Sequence, residues 1–414
     1  MSYRLLMLLL WPVWFIYTLR IAWRERDGRY FKQRLGYGLT LQNNAPLWIH
    51  CASVGEVNTW LPLHQLLLQQ YPTLHFVITT VTPTGARTVL KHALKNTQHV
   101  YLPIDTPAAV KRFLQKIRPR LALIMETELW PELYRQCQQN LTPLVIVNAR
   151  LSHKTLNANS WIRKLYADAL RRVSRILARG QDDADGYLSL GANPGLIQTI
   201  GSLKFSALPL QPATLLPELA NKKYILIAST HADEEWQLAQ LWKKLSMMDV
   251  LLVIAPRHPQ RRDAILRQLA PLAQSIAVRS RGDVITSATR IYLADTLGEM
   301  LPLMSQAMLV VMGGSFVPHG GQNCLEPARL GKAIVLGPSM FNFAFETQLL
   351  LQHQACLQVN NVESLAAVMQ GCIADESARQ TLGNNAKLLM QQQADMASRY
   401  LDVIKQHYGE ILSA

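Results

Sequence analysis

The sequence predicts an α/β protein of two Rossmann-like domains, and three observations support that prediction. The chain has 414 residues, more than the roughly 100–200 residues of one ordinary domain. Short apolar runs alternate with amphipathic helical patterns, as expected for parallel sheets that are covered by helices on both faces. A proline-rich stretch at 208–219 without an apolar strand interrupts this alternation. We therefore expect two doubly wound sheets in one chain.

Apolar runs of three to six residues mark the expected strands in both halves. In the first half they are 47–49, 75–79, 100–102, 121–125 and 144–147. In the second half they are 224–228, 250–255, 291–294, 308–312 and 333–336. Between them lie apolar stripes at i, i+3, i+4, i+7 spacing, which is typical of helices with one buried face.

The expected domain boundaries follow from these runs and from the proline-rich stretch. We predict a hydrophobic N-terminal helix, an N-terminal Rossmann-like domain, a linker, a C-terminal Rossmann-like domain and a C-terminal helix. Their respective bounds are 1–26, 27–207, 208–220, 221–395 and 396–414.

The composition indicates an anionic partner and a reducing compartment. Lys and Arg number 42 against 28 Asp and Glu, a formal charge of +14, which favours nucleic acid, a phospholipid surface or a phosphorylated substrate. Nucleic-acid binding predicts basic residues interleaved with aromatic residues on one face, whereas here the basic residues are dispersed. The 5 cysteines are scattered and form no CxxC pair, so a disulfide framework or a zinc ribbon is not indicated.

The N-terminus carries a hydrophobic segment. Leu5–Leu19 contains no charged residue, and Arg20, Arg24 and Arg26 follow it. No small-residue cleavage site follows the segment, which argues against a signal peptide. We predict a membrane anchor or an interfacial helix, with a buried N-terminal helix as the alternative. If the segment spans the bilayer, the downstream arginines place the rest of the chain in the cytoplasm.

Polar tracts follow most of the expected strands, where open parallel sheets bind their ligands. In the first half, Glu56 lies in the tract Ser53-Val54-Gly55-Glu56 and is a candidate general base. The alternative is a glutamate that caps a helix start. Glu126 and Glu128 flank one residue directly after a strand, so both side chains face the same side if the segment is extended. Helix capping is again the alternative.

In the second half, glycine pairs surround a strand-to-helix turn at Gly313-Gly314-Ser315 and Gly320-Gly321. Glycines there let backbone N–H groups approach a phosphate, and the alternative is that they serve the turn alone. Glu326 on the next helix is a candidate for binding ribose hydroxyls. Arg257 and Arg261 are candidates for binding a pyrophosphate or a carboxylate, with solvated loop charges as the alternative.

A metal site is not predicted. Asp183-Ala184-Asp185 matches the DxD motif of metal-dependent transferases, but acidic residues at a helix start are ordinary. His258 and His319 have no HExxH motif or clustered ligand partner in the sequence.

Taken together, these motifs resemble the transferases of 3-deoxy-D-manno-octulosonic acid (Kdo) in lipopolysaccharide assembly. The similar tracts cover nearly the whole chain and lie at 52–56, 125–131, 148–152, 201–205, 256–259, 313–315 and 320–328. The resemblance implies a GT-B architecture with an interdomain cleft and inversion by direct displacement. It implies CMP-Kdo as a substrate, no cofactor, and a phosphorylated lipid A precursor as acceptor, at the cytoplasmic side of the inner membrane. A sugar-nucleotide epimerase of the same architecture is the alternative.

The resemblance also implies roles for individual residues, with Glu56 as the general base. The acceptor-binding set is Ser53, Gly55, Thr84, Glu126 and Glu128. The donor-binding set is Lys204, Thr230, His231, Arg257, Gly313, Gly314, Ser315, Gly320, Gly321, Asn323 and Glu326. The chain departs from the family pattern at Gln322, where a histidine is expected, and at Ser339-Met340, where His-Thr is expected.

Overall fold

A seven-stranded parallel sheet organises each half of the chain in the computed structural model, which describes residues 3–41, 45–206, 216–245, 247 and 249–413. Residues 1–208 together with 395–414 form the first unit, and residues 209–394 form the second. Most of the predicted linker, residues 208–215, lies outside the described residues. The prediction of two parallel-sheet α/β domains is confirmed.

The first sheet has the strand order β3-β2-β1-β4-β5-β6-β7. Every apolar run predicted in this half lies in or overlaps one of its strands. The short strands β6 and β7 at one edge were not predicted. The strands are β1 (Leu47–His50), β2 (Phe76–Thr80), β3 (Thr97–Tyr101), β4 (Leu121–Met125), β5 (Leu144–Ala149), β6 (Arg175–Ala178) and β7 (Ile197–Thr199).

Helices follow most strands of this sheet, and several begin at a side-chain cap. Ser53, Thr82 and Asn159 each accept a hydrogen bond from a backbone N–H in the first turn of the helix that they precede. The helices are α1 (Tyr3–Leu9), α2 (Trp11–Glu25), α3 (Gly28–Arg34), α4 (Val54–Gln70), α5 (Pro83–Lys91), α6 (Pro107–Ile117), α7 (Pro131–Gln139), α8 (His153–Leu156), α9 (Ser160–Leu170) and α10 (Gln181–Ser189).

Both faces of the first sheet are buried, as the continuous apolar runs predict. Ile49 and Leu123 point into a core that includes Trp60 of α4. Trp48 and Ile124 point to the opposite face, into a core built with α6 and α7. The sheet therefore fixes where the polar residues that follow its strands must lie.

The second sheet has the order β10-β11-β9-β8-β12-β13-β14. Its predicted strands are all present, and the short strands β10 and β14, which occupy its two edges, were not predicted. The strands are β8 (Tyr224–Thr230), β9 (Leu251–Pro256), β10 (Ile276–Val278), β11 (Ile291–Leu293), β12 (Leu309–Met312), β13 (Ala333–Leu336) and β14 (Leu357–Gln358).

The second unit places its helices on this sheet in the same alternating order. They are α11 (Glu234–Leu245), α12 (Arg262–Gln268), α13 (Met300–Gln306), α14 (Leu325–Arg329), α15 (Ala344–Gln352), α16 (Val362–Ala374) and α17 (Glu376–Gln392). Short 3₁₀ turns lie at 194–196, 203–205, 217–219, 259–261, 270–275, 279–281 and 341–343 of the chain.

The C-terminal helix α18 (Met396–Ser413) returns to the first unit. Tyr400 donates a hydrogen bond to the carbonyl oxygen of Gly201 at 2.8 Å, and the Ala397 N–H donates to Ser206 Oγ at 2.7 Å. Tyr400 and Ile404 complete the same core as Trp60.

The N-terminal segment forms α1 and α2, which meet at an angle of 56°. Among the described residues, no single helix has the length and apolar character that a bilayer crossing requires, although these two bent helices meet that requirement jointly. Their outward residues include Leu8, 68% exposed, and Trp23, 82% exposed.

Candidate active site

The carboxyl edge of the first sheet holds Glu56 in a buried position. Ser53 begins α4, and Glu56 follows in its first turn. The carboxylate accepts a hydrogen bond from the Ala52 N–H at 2.7 Å and another from Ser53 Oγ at 2.9 Å. Both bonds resemble a helix cap, but the residue is only 8% exposed. Burial, followed by the charge of Glu126, raises the pKa of Glu56 to about 8.

Glu126 and Glu128 lie at the same edge, as predicted. Glu126 follows β4 directly and adopts a left-handed backbone with φ of 57°. It is 4% exposed, and the charges of both residues contribute to the raised pKa of Glu56. The structure therefore brings the three predicted carboxylates of the first half into one cluster.

Basic side chains surround Glu126. Arg150 donates from Nε to Glu126 Oε2, and Lys204 Nζ lies 3.7 Å from Oε1. Burial favours the neutral form of Glu126, but Lys204, Arg150 and Arg179 together lower its pKa below the ordinary value. Glu126 thus stays ionised, whereas Glu56 retains its proton to a higher pH. Lys204, predicted to bind the donor, lies in the first unit beside this predicted acceptor residue.

His50 is a residue of this cluster that the sequence did not single out. It ends β1 and is fully buried, and its Nδ1 lies 3.0 Å from Thr79 Oγ1. Its Nε2 has no hydrogen-bond partner and lies 3.9 Å from Glu128 Oε2. Its position at a strand end could have marked His50 as a site residue. It was not singled out because it ends a buried apolar run, and such a histidine is ordinarily part of the core.

The remaining predicted residues of the first half lie at the same edge or in helix starts. Thr84 is exposed in the first turn of α5, beyond β2. Asp183 accepts from the Leu151 N–H and pairs with Arg179 at 3.0 Å. Among the residues that the structure describes, no group of three or more His, Cys, Asp or Glu is arranged to hold a metal ion.

The carboxyl edge of the second sheet brings Arg257 close to Glu326. Arg257 follows β9 and is exposed, and its charge acts on the Glu326 carboxyl of α14. Asn323 donates from Nδ2 to Glu326 Oε1 at 3.0 Å. Burial raises the pKa of Glu326 despite these neighbours. Arg257, Asn323 and Glu326, all predicted to bind the sugar-nucleotide donor, therefore form one polar group.

The backbone N–H groups of the glycine turn after β12, which the sequence predicted to approach a phosphate, have partners within the protein. The N–H groups of Gly313, Gly314, Gly320 and Gly321 all donate hydrogen bonds within the protein. Gly314, Gly320 and Gly321 have φ of 67°, 83° and 73°. A Cβ on Gly313 would lie 2.7 Å from the Ser229 carbonyl oxygen. The turn and its close approaches therefore account for these glycines, and the N–H groups are already bonded.

Glu234 holds part of this glycine turn in place, and the sequence analysis did not single it out. It begins α11, is fully buried, and its carboxylate accepts from the N–H groups of His231, Gly314 and Phe316 at 2.7–3.0 Å. Acidic residues at a helix start are common, so the sequence pattern alone did not distinguish this one. The carboxylate ties the turn after β8 to the turn after β12.

Two residues predicted to bind the sugar-nucleotide donor have hydrogen-bond partners within the protein. Thr230 Oγ1 donates to Glu235 Oε1 at 2.9 Å, and Ser315 accepts from the Gly337 N–H at 2.8 Å. Both side chains are fully buried. They support the turns at this edge in the structure.

Sequence comparison assigns the chain to a family. A family model described as 3-deoxy-D-manno-octulosonic-acid transferase (kdotransferase) matches residues 22–207. The 3-deoxy-D-manno-octulosonic acid transferase of Haemophilus influenzae is 30% identical over 91% of this chain and 91% of its own. That of Rickettsia bellii is 29% identical over 98% of this chain and 99% of its own. The chain belongs to the Kdo transferase family. It is a glycosyltransferase.

Solved structures show the same fold at low sequence identity. A glycosyltransferase from Rickettsia africae is 14% identical, covers 89% of this chain and 99% of its own, and has a TM-score of 0.62. The UDP-GlcNAc 2-epimerase of Neisseria meningitidis, bound to UDP-GlcNAc, is 13% identical over 87% and 100%, with a TM-score of 0.58. The fold alone does not separate a transferase from an epimerase, but membership of the Kdo transferase family does.

Proposed function

We propose that this Kdo transferase moves Kdo from CMP-Kdo to a phosphorylated lipid A precursor, with inversion at the anomeric carbon and Glu56 as the general base. The observation that carries the proposal is the opposed pair of carboxylates in the first unit. Glu56 is driven toward the protonated form and Glu126 toward the ionised form, and paired acids with separated pKa values mark acid–base sites.

The proposed reaction is a single displacement. A hydroxyl oxygen of the acceptor attacks the anomeric carbon of Kdo as Glu56 takes up the hydroxyl proton. The bond between that carbon and the phosphate oxygen breaks, and CMP leaves with the electron pair. Because the attack comes from the face opposite the leaving group, the configuration inverts.

The two units supply different parts of this chemistry. The first contributes Glu56, with Glu126 and Glu128 as acceptor contacts. The second holds the donor through Arg257, Asn323 and Glu326. CMP-Kdo is a substrate here, and the proposal includes no cofactor. The names of the relatives in Haemophilus influenzae and Rickettsia bellii support Kdo as the transferred sugar.

The experiment that tests the proposal follows transfer by the full chain from CMP-Kdo to a lipid A precursor, with and without EDTA. NMR of the product reports the anomeric configuration. We expect transfer that survives EDTA and gives the inverted product. A retained configuration would overturn the direct displacement, and no transfer by folded protein that binds CMP would overturn the proposed acceptor.

We propose a location at the cytoplasmic face of the inner membrane, and contacts of the N-terminal helices support a position on the membrane surface. Tyr3 donates to Asp105 at 2.6 Å, and Arg4 pairs with Glu132 at 3.0 Å. At the other end, Glu25 pairs with Arg87 at 2.9 Å. Because both ends of the α1–α2 pair contact the same folded unit, a complete bilayer crossing would break one set of contacts. We propose that the pair lies in the interface with its exposed apolar side chains in the lipid.

Flotation with anionic liposomes tests this location. Replacing Leu8 and Val13 by serine removes exposed apolar surface and should release most of the protein from the vesicles. Leu141→Ser is the matched control, since Leu141 is 89% exposed in the first unit but outside this helix pair. Equal flotation of all variants would contradict the proposed interfacial anchor.

A further inference from the structure

Three imidazole rings meet at the carboxyl edge of the second sheet. His231 follows β8, His258 follows β9, and His319 lies in the turn after β12. The rings of His231 and His319 are stacked, with centroids 4.2 Å apart and planes at 23°. The ring of His258 stands edge-on to His231 at 6.0 Å. The three residues are far apart in the sequence, and the strand order of the sheet brings their rings together.

Gln322 fixes the central ring of this histidine cluster. Its Nε2 lies 3.0 Å from Nε2 of His231. The amide therefore occupies one ring nitrogen of His231, and only Nδ1 is left for any other partner. The packing here is close, because a Cβ on Gly314 would lie 3.2 Å from His231 Cδ2 and 3.3 Å from Gln322 Nε2.

The surroundings of the cluster are positively charged. Burial lowers the pKa of His231 to about 4, and the nearby charges of His319, His258, Arg257 and Arg261 act in the same direction. A bound anion would offset this repulsion and raise the pKa of the ring.

The carboxylates that face the cluster already have partners. Glu235 pairs with Arg261 at 2.8 Å, and Glu234 accepts from three backbone N–H groups, including that of His231. Asp233 lies in the same turn and is exposed. Arg257, by contrast, is exposed beside His231 and acts on Glu326. Arg257 and the exposed rings of His258 and His319 are thus accessible to an anion from solvent.

We propose that His231, His258 and His319 form, with Arg257, one binding cluster for an anionic group of the sugar-nucleotide donor, and that the cluster takes up a proton when the anion binds. The inference rests on the proposed donor and adds His258, His319 and Gln322 to its site. The ligand chemistry is a phosphate or a carboxylate. Binding therefore weakens as the pH rises, because one proton enters with the anion.

The experiment is titration calorimetry of the full chain with CMP, free Kdo and uncharged cytidine. Heats in two buffers of different ionisation enthalpy give the number of protons taken up per ligand. We expect proton uptake of up to about one with an anionic ligand and none with cytidine. Uptake with CMP would identify the phosphate as the anion, and uptake with Kdo would identify the carboxylate.

Single substitutions test whether the histidine cluster, and not the general positive charge of the surface, binds the anion. His319→Asn should weaken binding of the anion by roughly tenfold, as expected for one charge-assisted contact, and should reduce the proton uptake. Gln322→Ala should change the pH dependence of binding, because it frees the His231 ring. His353→Asn is the control, since His353 is an exposed histidine directly after α15 of the same unit, and it should change neither quantity.

The outcomes distinguish this inference from the proposed function. CMP or CMP-Kdo binding with unchanged affinity and proton uptake in His319→Asn and His258→Asn would overturn the histidine cluster alone. The same holds if the folded wild type binds CMP with no proton uptake. If folded wild-type protein binds neither CMP nor CMP-Kdo, the proposed donor is overturned and this inference with it.

Discussion

The carboxyl edges of the two sheets gather side chains of opposite character. The first edge holds three carboxylates, of which Glu56 and Glu126 are buried and Glu128 is partly exposed. The second holds Arg257 and three imidazole rings around a glycine turn. Both sheets are parallel and seven-stranded with a central strand-order reversal, so the fold provides the two edges and the residues after each strand decide their chemistry. The first edge is suited to take a proton and the second to hold an anion.

The two edges also share a feature, which is backbone strain at strand ends. Glu126 and Asn148 in the first unit have φ of 57° and 53°, and Ser229 and Asp233 in the second have φ of 60° and 73°. Left-handed backbone at such residues costs about 1–3 kcal/mol each and concentrates at functional sites. Other residues, such as Ala93 and Gln354, have the same backbone away from both edges, so this strain is common to the two edges but does not by itself mark them as functional.

The largest expected effect is the loss of the base at the first edge. Glu56→Gln keeps the size of the side chain and removes its capacity to accept a proton, so we expect the rate of transfer to fall about 10²–10⁴-fold. CMP binding, which we propose for the second edge, should be unchanged. Glu410→Gln on α18 removes an exposed carboxylate of the same unit and should leave the rate unchanged. Transfer by Glu56→Gln within tenfold of wild type would contradict the role of the first edge.

A stability measurement tests the glycine turn of the second edge. Gly320 and Gly298 have φ of 83° and 86°, so an added Cβ strains both by about 1–2 kcal/mol. At Gly320 the new Cβ would also lie 2.5 Å from Phe341 Cε2, whereas at Gly298 it would meet nothing within 4 Å. We expect Gly320→Ala to lower the free energy of unfolding by about 1–3 kcal/mol more than Gly298→Ala, because of the overpacking. Equal losses in urea titrations would show that the turn can open to accommodate the methyl group.

A binding measurement tests the charge of the second edge. Arg257→Ala removes an exposed cation beside His231 and Glu326, and we expect donor binding to weaken about 10–100-fold, as for the loss of a charge-assisted hydrogen bond. The KM for the donor should rise much more than kcat falls. Arg267→Ala, an exposed arginine of α12, is the control. A fall in kcat at constant KM would instead place Arg257 with the reacting atoms.

The sequence predicted the central strands of both sheets because short, continuous apolar runs that alternate with helical patterns are typical of strands buried on two faces. It missed β7 and β14, which are short, partly exposed edge strands whose pairing depends on the neighbouring strand. It also singled out the three carboxylates of the first edge, because each lies in a polar tract that follows a strand.

The sequence did not reveal contacts that join separate strand ends. His50, Glu234 and the stacked pair of His231 and His319 depend on which strands are neighbours, and local pattern carries no such information. The N–H groups of the glycine turn illustrate the same limit. Glycine spacing predicts a turn that an anion can approach, but the carboxylate of Glu234, from a helix that follows β8, already accepts from the N–H groups of Gly314 and Phe316.

The smallest expected effect is a shift in pH dependence that links two residues of the first edge. Burial and the negative charge of Glu126 both raise the pKa of Glu56, so its base form accumulates as the pH rises through about 8. Glu126→Gln removes the charge and leaves the burial. The rising limb of kcat/KM against pH should therefore move toward lower pH, by about one unit for loss of a close like charge. Glu128→Gln should move it in the same direction by less, since Glu128 contributes less to the shift.

The direction of that shift decides whether the two carboxylates are coupled. A limb that stays in place in Glu126→Gln while the KM for the acceptor rises would mean that Glu126 only contacts the acceptor. A limb that moves toward higher pH would mean that Glu126 assists ionisation of Glu56, contrary to simple repulsion between like charges. Movement toward lower pH, with Glu410→Gln unchanged, would show that repulsion from Glu126 adds to burial in raising the pKa of Glu56. The second edge has the opposite counterpart, since burial and the nearby cations lower the pKa of His231.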